Sequence, residues 1–174
     1  MSKTLIAALL ATGMAAFSAP AFAQGAQTAT KEDQTFLTKA IEGGLAEVEM
    51  GKLAQEKGQS QDVKNFGAML VQDHTDANTK AMDLAKQINL TNAPSQPSKK
   101  QQADHDRLAK LSGAQFDSEF AKHMVTDHKE DIADFTKQSK MKAGDPTVEF
   151  ASQTLPVLQK HLQAAEALEK GAKK

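Results

Sequence analysis

The chain has 174 residues, a formal net charge of −1, and no cysteine, tryptophan or tyrosine. The missing cysteine excludes disulfides, thiolate metal ligands, cysteine-linked lipid anchors and cysteine catalysis. The charge balance and the missing Trp and Tyr argue against a nucleic-acid partner, which needs a basic patch and stacking aromatics.

Residues 1–23 have the anatomy of a secretory signal peptide. Lys3 supplies the positive start, Leu5 to Phe17 the apolar stretch, and Ala21-Phe22-Ala23 a small-x-small cleavage signal before Gln24. The expected location is therefore the periplasm or the medium. After cleavage no later stretch is long and apolar enough to span a membrane. Residues 24–30 are small and polar, a flexible leader, and residues 31–171 are predicted to form one helical domain.

The first long helix is expected over Lys31 to Lys57, with Phe36, Leu37, Ala40, Ile41, Gly44, Val48, Gly51 and Ala54 on one face. Gly43, Gly44 and Gly51 each cost about 1 kcal/mol against Ala in a helix. Close approach of a neighbouring helix is the expected return. Gly58 ends this helix and Ser60 caps the second, with Asp62 in its first turn. The second stripe reads Val63, Phe66, Leu70, His74, Ala77, Ala81, Leu84 and Ile88. Asn89 to Pro97 is a loop, and Ser98 to Leu111 a short polar helix with Leu108 and Leu111 as its apolar contacts.

Ser112-Gly113 interrupts the pattern before a third long helix, about Ala114 to Met141, whose face carries Phe120, Met124, His128, Ile132 and Phe135. Gly144-Asp145-Pro146 places a C′ glycine, an N-cap and an N1 proline in succession. The fourth long helix then runs to about Lys170 and buries Val148, Phe150, Ala151, Leu155, Leu158, Leu162, Ala165 and Leu168, with His161 on the same face and Pro156 as an expected kink.

Four amphipathic helices of roughly 25 residues make an all-α four-helix bundle. The link between the second and third carries an extra short helix and is long enough to recross the bundle. Those two helices would then run parallel, as in ferritin-like folds.

The stretches "FLTKAIEGGLAEVEMGKLAQEKGQSQDVKNFGAMLVQDH", "FDSEFAKHMVTDH" and "LPVLQKHL" resemble an exported bacterial family, domain of unknown function 4142, placed with the ferritin-like superfamily. The resemblance covers Asp33 to Leu168. It rests on the Asp-His pairs of the second and third long helices and the Leu-Pro…His of the fourth. It implies an exported helical bundle and no particular activity. One departure is informative: ferritin-type di-iron sites use Glu-x-x-His on two helices, whereas Val71, Val125 and Leu158 stand three residues before His74, His128 and His161. A carboxylate-rich, oxygen-activating centre of that kind is not expected.

The repeated Val-x-Asp-His, with His74 and His128 in corresponding places, puts an imidazole into an apolar stripe twice. His74 and His128 fall near the middle of their helices, and Glu47 and His161 about three residues past the middle. With the crossover, all four lie within about 5 Å along the axis. Three imidazoles and a carboxylate suit zinc, copper or iron. Asp73 and Asp127 project about 100° away from their neighbouring histidines, and are expected to orient a histidine on an adjacent helix. The competing reading is a polar, hydrogen-bonded layer that fixes helix register.

Other groups point to surface. Glu119, His123 and Asp127 form an i, i+4, i+8 ridge expected to be solvated, and Asp104-His105-Asp106 lies on the short polar helix. Met50, Met69, Met82, Met124 and Met141 form no Met-x-x-Met array for copper(I). No nucleophile–base–orienter set or phosphate loop is visible, so an enzyme is the poorest class. A metal-binding exported bundle and a non-metal structural or stress-related interaction protein of the envelope remain, separated by whether His74, His128 and His161 converge.

Overall fold

The computed structural model describes residues 29–172, so the expected signal peptide and most of the leader lie outside it. Five helices follow in order: α1 (Lys31–Lys57), α2 (Gln61–Gln87), α3 (Lys99–Ala109), α4 (Gly113–Ser139) and α5 (Pro146–Gly171). Among the described residues there is no strand. No helix there is long and apolar enough to cross a membrane.

The helix starts are chemically specified. Thr30 and Asp33 form a capping box on α1, Ser98 and Gln101 one on α3, and Ser60 accepts from the Val63 N–H. Asp145 accepts from the Thr147 N–H with Pro146 behind it. Asp117 of α4 accepts from the Gln59 and Ser60 N–H groups, at 2.8 Å each. It thereby ties the α1–α2 turn to α4. α5 continues as a helix through Pro156.

α1 packs along α2 and α4 along α5, and the two hairpins meet through α2–α5 and α1–α4. The α1–α2 seam is a backbone contact. A Cβ on Gly51 would lie 2.6 Å from the Gly67 carbonyl oxygen, and one on Gly67 2.5 Å from that of Gly51. Gly44 likewise makes room for the Asn78 carboxamide, whereas Gly43 meets nothing closer than 3.9 Å and approaches no helix backbone.

Chain directions follow from which ends meet. Phe36 at the start of α1 stacks edge-on against Phe135 late in α4, with centroids 4.9 Å apart, and Lys39 pairs with Asp134. α1 and α4 are therefore antiparallel, so α2 and α4 run the same way. The 88–112 connection, with α3 packed on α1 and α4, recrosses the bundle.

Two apolar clusters fill the two ends. One gathers Leu53, Phe66, Leu108, Phe116, Phe120 and Ala165; the other gathers Phe36, Leu37, Ile41, Ala81, Phe135 and Phe150. α1 buries a wider arc than its stripe indicated. Ala46, Met50 and Leu53 are buried while Ala40 and Val48 are half-exposed, because α3 covers a second side of α1 and brings Leu108 into one apolar cluster with Met50 and Leu53.

Candidate metal centre

Between the two apolar clusters lies a polar layer to which each long helix contributes one side chain: Glu47 from α1, His74 from α2, His128 from α4 and His161 from α5. Glu47, His128 and His161 are fully buried and His74 is 6% exposed. The His ring centroids are 5.9 Å apart for 74–128, 5.2 Å for 74–161 and 5.3 Å for 128–161. One nitrogen from each ring lies within 4.8 Å of one from each of the others. A triangle of that edge has its centre about 2.8 Å from each corner, so shifts under an ångström reach the roughly 2.0–2.1 Å of a metal–imidazole bond.

Two rings have their outer nitrogen engaged. His128 Nδ1 lies 3.0 Å from the Met124 carbonyl oxygen and donates to it. His161 Nε2 lies 2.8 Å from Asp73 Oδ2 and donates to that carboxylate. Those bonds select the tautomers, leaving lone pairs on His128 Nε2 and His161 Nδ1. These two atoms and His74 Nε2 are buried without a hydrogen-bond partner. Asp73 of α2 thus holds the outer nitrogen of a histidine on α5. Phe66 packs beside His128 and His161, with centroids 6.5 and 6.2 Å away, and forms an apolar wall.

Both Glu47 carboxylate oxygens are also buried without a hydrogen-bond partner. Oε2 is 3.9 Å from His74 Nε2 and Oε1 is 3.5 Å from His128 Nδ1. The layer is electrically muted by its burial. Desolvation, then the neighbouring imidazoles His128 and His161, hold His74 well below the ordinary histidine range. Burial and the His161 ring bring His128 down to about 4, against an opposing pull from Asp127. Burial lowers His161 too, with Asp73 opposing. Burial, then the Asp127 carboxylate, then Asp131, push Glu47 well above the usual carboxylate range. At neutral pH the three imidazoles are therefore uncharged, the protonation state that metal binding requires.

Asp127 does not behave as the expected solvated ridge residue. It is half-buried, and one of its oxygens lies within 4.8 Å of a Glu47 oxygen and of a His128 nitrogen. Glu119 does stay on the surface, pairing with Lys122 and Arg107. Two further residues belong here without having been singled out. Asn78, one turn beyond His74, is buried with an unpartnered Nδ2; its i+4 spacing from His74 was a readable signal. Asp131, one turn beyond Asp127, is pushed well above the carboxylate range by burial, Asp127, Asp134 and Glu130. Its spacing of four from Asp127 was equally readable.

Fold and site together define a class: an all-helical bundle with one buried layer of three histidines and a carboxylate. The family model for DUF4142, a domain of unknown function, matches residues 18–168, and the chain belongs to that family. A crystal structure of a DUF305 fragment from Deinococcus radiodurans matches with a TM-score of 0.71 at 13% identity, covering 83% of this chain and 99% of that one. At that identity the likeness is one of fold. No curated protein matches the chain.

Proposed function

We propose that this protein is an exported, ferritin-like bundle that binds a transition-metal ion, zinc, copper or iron, through His74, His128 and His161, with Glu47 as an oxygen ligand. The observation that carries this reading is the set of unpartnered buried atoms His74 Nε2, His128 Nε2 and His161 Nδ1 on rings whose burial keeps them neutral. A native core pairs its polar atoms, because each one left unpaired costs about 1–3 kcal/mol. An ion at the centre would satisfy all three at once, and Met124 and Asp73 already hold two of the rings in the ligating tautomer. The parallel direction of α2 and α4 favours a ferritin-like arrangement. The signal-peptide anatomy of residues 1–23 supports export. The role that this reading favours is storage, delivery or protection through a bound ion.

The test is elemental analysis of untagged protein recovered from the periplasm, wild type against His74→Leu and His128→Leu. About one ion per chain in wild type and a small fraction of that in both variants is expected. Wild type free of metal, and unable to take up zinc, copper or iron after chelator treatment, would leave the register-fixing polar layer as the account of these histidines.

A further inference from the structure

The histidine centre uses only one side of Glu47. Its two oxygens open in different directions, Oε2 toward His74 and Oε1 toward His128, and neither has a hydrogen-bond partner. On the α1–α4 side, Asp127 brings a second carboxylate, so that a Glu47 oxygen, an Asp127 oxygen and a His128 nitrogen lie within 4.8 Å of one another. Asp131 continues the same ridge one turn on. A Cβ placed on Gly43 of α1 would lie 3.9 Å from Asp131 Oδ1 and 3.9 Å from Gln101 Nε2 of α3. Among the described residues, none of Glu47, Asp127 and Asp131 forms an ion pair with a lysine or arginine. Glu47 is buried and Asp127 and Asp131 are half-buried; carboxylates gathered around a buried one without a cation are costly unless they are protonated or hold a metal.

We propose that Glu47 bridges two ions: beside the histidine-bound one, a second cation sits on the α1–α4 side, held by Glu47 and Asp127. This inference rests on the metal reading of the histidines and extends it. His128 Nδ1 is committed to the Met124 carbonyl, so the second position is lined by carboxylate oxygens with the His128 ring as a wall. Two carboxylates with the remaining positions left to water suit a hard divalent cation such as Mn(II) or Mg(II), while three imidazoles suit a borderline ion. Ions bridged in this way lie roughly 3.5–4 Å apart. The alternative is a carboxyl pair sharing one proton, with no second ion.

Mature, untagged protein is freed of metal with chelator, loaded with one equivalent of Zn(II) and titrated with Mn(II), whose free form is counted by electron paramagnetic resonance. One Mn(II) per chain is expected in wild type and none in Asp127→Asn, which should still hold its zinc. Zinc uptake without Mn(II) uptake overturns the second position and leaves the histidine site intact; so does equal Mn(II) uptake by wild type and Asp127→Asn, which marks adventitious surface binding. Failure to take up Zn(II) in any form overturns the underlying metal reading. A measurement on wild type alone guards against a variant that misfolds. With Co(II) in place of Zn(II) at the histidines, the bound Mn(II) signal should broaden beyond detection at a separation of about 4 Å. An unchanged signal overturns the bridge.

Discussion

Two buried polar clusters occupy this bundle, and they are built on opposite principles. At the end where α1 and α5 begin and α4 finishes, Asp33 accepts hydrogen bonds from the Thr30 N–H at 2.8 Å, the Thr30 hydroxyl at 2.6 Å and Gln138 Nε2 at 2.8 Å, with the Thr147 hydroxyl 3.1 Å away. Burial raises the Asp33 carboxyl. The bonds from Thr30, Gln138 and Thr147 more than offset it and hold the group below the usual range, as a carboxylate. In mid-bundle, Glu47 and the three histidines are buried as deeply, yet their inward-facing atoms have no partner. The first cluster is complete in the protein itself and serves the fold. The second leaves its inward-facing nitrogens and carboxylate oxygens unpaired by the protein.

The contrast can be broken or sharpened by experiment. The largest expected effect is on metal-loaded protein. At an ion concentration a thousand times Kd, bound ion adds about 4 kcal/mol to stability, and His161→Ala should forfeit nearly all of it. Thermal melts with and without chelator check this: a large deficit in the loaded state and a small one in the stripped state are expected. Next comes Asp33→Ala, which takes one of two acceptors from Gln138 Nε2 and the capping carboxylate from Thr30. It should cost about 3 kcal/mol, equally with and without chelator, in urea melts. If its cost depended on metal, the division between a fold cluster and a site cluster would fail.

A smaller effect concerns pH. The folded value for His128, about 4, lies below the unfolded 6.5. The unfolded chain therefore binds the extra proton between those values, and stability falls as pH falls through that window. Metal-free His128→Leu lacks this liability and should gain on metal-free wild type by about 2 kcal/mol between pH 7 and pH 5. Asp33 behaves oppositely in timing. Its lowered folded value leaves its contribution whole above the unfolded 3.8, and loses it only as pH falls through the folded value. The cost of Asp33→Asn should hence stay flat from pH 7 to 5 and shrink below pH 4, read from melts across the same buffers. The smallest effect is expected for Asp73→Asn. The amide oxygen can still accept from His161 but without charge, so metal affinity should drop about tenfold in competition titrations against a chromophoric chelator.

Much of this was legible in the sequence because it is local. Periodicity exposed the four long helices, Ser60 and Gly144-Asp145-Pro146 marked the starts of two of them, and the length of the 88–112 link indicated the crossover. His74, His128 and His161 stood out as polar residues in apolar stripes. What stayed hidden depends on neighbours. Ala46, Met50 and Leu53 are buried because α3 covers a second side of α1, which no periodicity within α1 records. Asp127 on α4 reads both as a ridge residue and as a partner for a neighbouring histidine, and neither reading foretells the Glu47 oxygen of α1 within 4.8 Å of it. The packing role of Gly67 leaves no mark in its own helix, since its partner Gly51 lies across a turn on the antiparallel helix.

The central claim, that the mid-bundle layer is unfinished without an ion, is tested most directly by following the imidazole nitrogens themselves. Long-range proton–nitrogen-15 correlation spectra of chelator-treated protein, recorded during zinc addition, resolve each ring nitrogen. The account predicts metal-induced shifts at His74 Nε2, His128 Nε2 and His161 Nδ1, saturating at one equivalent, while His128 Nδ1 and His161 Nε2 stay protonated. Zinc shifts confined to His105 and His123, with these three rings unchanged, would contradict it.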